Sequence, residues 1–128
     1  MKKEEQEALS DLTRLFPTMV CGEVQALKQN LIDARTFYEP KRTKRIREVL
    51  PFLERLRKQG ILFGYPLVAD VVSHLEKVII RSSKFSEPEF TAMHNDVLLL
   101  QDILWKKIRG DGGERGRKIL NQLIRIPK

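Results

Sequence analysis

The sequence predicts an all-α fold, an antiparallel helical bundle, on three observations. Apolar residues recur at three- and four-residue spacing through most of the 128 residues. Strand-like alternation is missing: the one Asp-Gly pair, Asp111-Gly112, has helical patterns on both sides instead of alternating runs. Prolines, glycines and one capping sequence punctuate the periodic stretches at intervals suited to helices. The length fits a single domain, 1–128, with enough chain to bury a core.

A first short helix is expected over 3–16, with Ala8, Leu9, Leu12, Leu15 and Phe16 on one face and Pro17 as its stop. A second runs from about Thr18 to Phe37, with Val20, Val24, Leu27, Leu31 and Ile32 at helical spacing and Gly22 weakening its first turn. A third starts near Pro40, whose missing N–H is not needed in a first turn. Its stripe is Ile46, Val49, Leu50, Leu53, Leu56 and Gly60. Pro51 is expected to kink this helix, because the ring removes a hydrogen bond and clashes with the preceding turn, with a break there as the alternative.

Gly64 suits a left-handed helix end, and Pro66 the first turn of a fourth helix over about 65–81. The apolar set Leu67, Val68, Val71, Val72, Leu75 and Val78 is so broad that this helix must pack on two sides. Ser86-Glu87-Pro88-Glu89 has the spacing of a capping box. The fifth helix it starts runs to about Arg109 on Phe90, Met93, Val97, Leu100, Leu104 and Ile108. A glycine loop, Gly110-Asp111-Gly112-Gly113, precedes a last short helix carrying Ile119, Leu120, Leu123 and Ile124.

No apolar run approaches the ~20 residues of a membrane span. The start, Met1-Lys2-Lys3-Glu4-Glu5, lacks the apolar middle of a signal peptide, so a cytoplasmic protein without membrane contact is expected. The single cysteine, Cys21, excludes an internal disulfide and reads as a buried small hydrophobe. Two histidines and one cysteine far apart give no metal spacing, and no nucleophile–base set stands out; no cofactor, metal or catalytic residue is expected. The glycines from 110 onward lack a phosphate loop's Gly-Lys-Ser/Thr ending and follow a helix instead of a strand. Trp105 reads as bundle packing, with a partner-binding anchor as the alternative.

The net charge of +7 is unevenly spread. Residues 41–58 carry eight Lys/Arg against Glu48 and Glu54, and residues 106–128 carry eight against Asp111 and Glu114. Such segments are solvated helix faces or attract acidic partners. Nucleic-acid binding through Lys41, Arg42, Lys44 and Arg45 is one alternative function.

The stretch Glu54-Arg55-Leu56-Arg57-Lys58-Gln59-Gly60-Ile61-Leu62-Phe63-Gly64, with Tyr65-Pro66 and the later Leu75-Glu76, resembles the centre of a histidine-containing phosphotransfer (HPt) domain. That family carries His-x-x-Lys-Gly, a second glycine ten residues after the histidine, a proline-containing link and a helix ending in Leu-Glu. Gly64, Pro66, Leu75 and Glu76 fall in register. Glu54 stands at the phosphoacceptor position, Arg57 at the lysine and Lys58 at the first glycine. The resemblance covers roughly residues 8–109.

It implies an HPt-like four-helix core with short extra terminal helices, and a partner such as a receiver domain or histidine kinase. Relay chemistry needs an imidazole nitrogen as nucleophile, which Glu54 cannot supply, and Lys58 is bulky where close approach calls for glycine. The implied function is therefore a non-catalytic signalling module. Its partner-binding face is Arg47, Glu54, Arg55, Arg57, Lys58 and Ile61. The alternative is an active phosphotransfer protein using His74 of His74-Leu75-Glu76-Lys77, although Val78 and Lys84 stand where the family has glycine. His74 otherwise reads as a structural histidine, and His94 as a surface one.

Overall fold

The computed structural model describes residues 3–109 and 113–125. They form six helices and no strand: α1 (Lys3–Ala34), α2 (Lys41–Arg47), α3 (Leu50–Leu62), α4 (Pro66–Arg81), α5 (Glu87–Lys106) and α6 (Gly113–Arg125). Among the described residues no helix is long and apolar enough to cross a membrane. The expected loop at 110–112, and the side chains of Ala8, Leu9, Leu123 and Ile124, lie outside the described residues.

α1, α3, α4 and α5 make a helical bundle, in which α4 packs on both α3 and α5 while α1 packs on α5. Side-chain pairs fix the directions. Gln25 meets Gln101 and Arg35 meets Glu87, so α1 and α5 run oppositely. Arg55 meets Glu23 while Phe63 meets Phe16, so α1 and α3 do too.

Pro17 does not end the first helix; α1 continues through it for 32 residues. A proline in a helix interior costs roughly 3 kcal/mol. Phe16, Val20, Val24, Leu27 and Leu31 form one buried stripe across the proline. Each such side chain is worth about 1.5–3 kcal/mol on burial, so packing outweighs the lost hydrogen bond. Cys21 is exposed, contrary to the buried position expected, because it lies off that stripe.

At Pro51 the chain breaks rather than kinks. α2 ends at Arg47, and Pro51 sits in the first turn of α3, where no N–H is missed. α2 crosses against α1 and α4. At the other end of α3, Gly64 takes φ +84°. Tyr65 N donates to Gly60 O at 2.7 Å and Gly64 N to Ile61 O at 3.4 Å, a Schellman closure. α4 then departs with Gly60 pressed against it: a Cβ on Gly60 would lie 3.1 Å from Tyr65 O and 3.2 Å from Val68.

α4 is the centre of the molecule, touched by α2, α3, α5 and α6. Its eight buried residues match the breadth of its apolar set. The capping box of α5 is formed: Ser86 N donates to Glu89 Oε1 at 2.7 Å, and the serine hydroxyl closes on the same oxygen. Those bonds hold the Glu89 carboxyl below its ordinary range, the hydroxyl contact first.

Candidate docking site

α3 buries Leu53, Leu56 and Gly60, so the opposite side of a 3.6-residue helix must face outward. That outward side carries Glu54, Arg55, Lys58, Ile61 and Leu62. Glu54 accepts an ion pair from Lys58 Nζ at 3.2 Å, one turn on. Arg55 Nη2 donates to Glu23 Oε2 at 2.6 Å and its guanidinium stacks over the Phe52 ring at 5.3 Å. These contacts rim a shallow depression of about 350 Å³ that reaches Pro51, Gln59 and Leu62. Ile61 and Leu62 are 62% and 63% exposed, although both are large and apolar.

The six residues of the expected partner face are thus divided. Glu54, Arg55, Lys58 and Ile61 are outward and together. Arg57 turns to α4, where its Nε donates to Glu76 Oε1 at 2.8 Å in a half-buried pair. Arg47, from α2, reaches away to the Ser82 carbonyl at 3.1 Å. Leu62 belongs to the face and was absent from the sequence-based set. Its two-residue offset from the buried Gly60 was the available signal.

The basic run in α2 is similarly divided. Arg42 is a clamp: Nε donates to Phe37 O at 2.8 Å, Nη1 to Phe85 O at 2.9 Å and Nη2 to Arg35 O at 2.7 Å. It ties the α1–α2 link to the α4–α5 link, and its donors are spent on carbonyls instead of being free for phosphates. Lys41 and Arg45 lie over the Phe37 ring at 4.6 and 5.5 Å. Lys44 is exposed.

His74 lies between α4 and α5. Its Nδ1 is 2.7 Å from Asp96 Oδ2, and Asp96 is fully buried. His74 Nε2 is buried as well, and neither it nor Asp96 Oδ1 has a hydrogen-bond partner among the described residues. Burial pushes the Asp96 carboxyl up to about 6, against the opposing pull of the His74 hydrogen bond and charge. One ring nitrogen of His74, the alternative phosphoacceptor, is thus engaged by Asp96, and the other is buried. Asp96 went unnoticed in the sequence, yet Ala92, Leu100 and Ile103 share its side of α5, so the spacing marked it as interior. His94 is exposed, as expected. Trp105 is 82% exposed, which overturns bundle packing as its role.

Among the described residues no group of three His, Cys, Asp or Glu side chains is placed to hold a metal ion. The α3 face offers charge, shape and apolar contact, which are the requirements of docking. No known protein family, curated protein or solved structure matches this chain.

Proposed function

We propose that the chain is a non-catalytic, HPt-like interaction module that docks a receiver domain or a related two-component signalling protein on the outward side of α3. The observation that carries this reading is the exposure of Ile61 and Leu62 beside the Glu54–Lys58 pair. Two large apolar side chains next to a polar, charged rim are what a docking surface needs. The tight α3–α4 corner supports it, because Gly60 and Gly64 hold the end of α3 rigidly in place. Glu54 presents a fixed carboxylate where a relay protein carries its phosphoryl group, so association takes place without transfer.

Calorimetric titration of receiver domains tests the proposal. Lys58→Glu combined with Ile61→Glu is expected to weaken binding by about 2 kcal/mol or more, the size of a docking hot spot. Unchanged affinity in the folded double variant removes this face as the site.

A further inference from the structure

One face round the bundle from α3, a groove runs between α1 and α5. Its α1 wall carries Cys21, Gln25, Lys28, Ile32 and Arg35, and its α5 wall carries His94, Leu98, Gln101 and Trp105. Both walls step alternately by four and three residues, the spacing of a coiled-coil seam. Two hollows open along the groove. One, about 270 Å³, is floored by Leu31, Phe90, Met93 and Val97; the other, about 220 Å³, lies among Cys21, Val24, Leu104 and Trp105. Gln101 Nε2 donates to Gln25 Oε1 at 2.9 Å between them. The hollows are about nine residues apart along α1 and about ten along α5, or roughly 14 Å at helical rise.

Exposure along this groove is unusual for a finished surface. Ile32 and Leu98 are each 42% exposed and Trp105 is 82% exposed. The charges along it are paired except at one lysine. Glu87 is taken by Arg35 at 2.7 Å and Asp102 by Lys106 at 2.9 Å. Lys28 borders the larger hollow with no ion pair among the described residues. An occupant that satisfies this rim is acidic. A second copy, itself of net charge +7, would bring a like-charged molecule toward the same unpaired lysine. A lipid surface suits projecting apolar residues, whereas the floor here is recessed between two helices.

We propose that the α1–α5 groove docks an amphipathic helix of a different protein. That helix has acidic flanks and large apolar side chains two to three turns apart, one set for each hollow. The site is separate from the α3 face and does not depend on it.

Trp105 is the chain's only tryptophan and stands at one hollow, so its emission reports occupancy. The probe is a synthetic helical peptide with leucines at i, i+4, i+7 and i+11 and glutamates on both flanks, beside a twin with lysine flanks. The glutamate peptide is expected to shift Trp105 emission to the blue, saturably, while the lysine twin does not. Lys28→Glu is expected to weaken the glutamate peptide about tenfold, and Leu98→Glu to abolish the shift, with helical circular dichroism retained in both. The Lys58→Glu, Ile61→Glu variant keeps the shift, which separates this site from the α3 face. Equal binding of the twin, or no shift with the glutamate peptide, overturns the proposal. So does a response to phosphatidylglycerol vesicles alone, or a dimer in sedimentation that Leu98→Glu converts to monomer.

Discussion

Asp96 illustrates what one buried carboxyl does to its surroundings. Its acidity is shifted from 3.8 up to about 6, so the folded protein keeps this proton over a range in which the unfolded chain has released it. The stability it contributes is therefore intact below about pH 4 and is lost as pH rises to about 6. The gap, 6 minus 3.8, corresponds to ~3 kcal/mol at about 1.36 kcal/mol per pH unit. Asp96→Asn keeps a hydrogen-bonding partner for His74 Nδ1 and cannot ionise. Urea unfolding at a series of pH values is expected to show a fall in stability between about pH 4 and 6 for the parent chain and a flatter profile for Asp96→Asn. An unchanged slope would mean that another group titrates there.

At the scale of elements, the ends of helices are more instructive than their middles. α5 closes as α3 does, with Ile108 N donating to Ile103 O at 3.0 Å and Lys107 N to Leu104 O at 3.3 Å, but its left-handed residue is Lys107, at φ 53°. A side chain in that conformation costs roughly 1 kcal/mol that glycine avoids. Lys107→Gly is therefore expected to raise stability by about 1 kcal/mol and the melting temperature by several degrees, measured by thermal unfolding. The helix starts at Pro66 and Ser86, and the corner at Gly64, were legible in the sequence because local chemistry alone decides them. Pro17 was not legible in the same way. Its local preference is to stop a helix, and only the buried stripe from Phe16 to Leu31, which needs α5 in place, overrides it. At Pro51 local chemistry favoured a kink over a break, and the break came with the packing of α2 on α1 and α4.

Across the whole molecule, the outward side of α3 was legible in part. Periodicity placed Glu54, Arg55, Lys58 and Ile61 outward, since only the phase of α3 is needed for that. It could not assign Arg57 and Arg47, whose ends are decided by Glu76 and by the Ser82 carbonyl on other elements. The α1–α5 groove was invisible for the same reason: each wall is an ordinary polar helix flank until the two are set side by side. The enclosure of α4 by α2, α3, α5 and α6 has a consequence in time rather than space. Apart from the exposed stripe at Asp70, Lys77 and Ile80, α4 is covered by these neighbours, so deuterium enters the amides of its buried stripe only when the whole bundle opens. Their exchange measures the global unfolding free energy directly. Amides of α6, whose main packing is against α4, are expected to exchange orders of magnitude faster by local opening. Equal rates in the two helices would show that α6 and the core open as one unit.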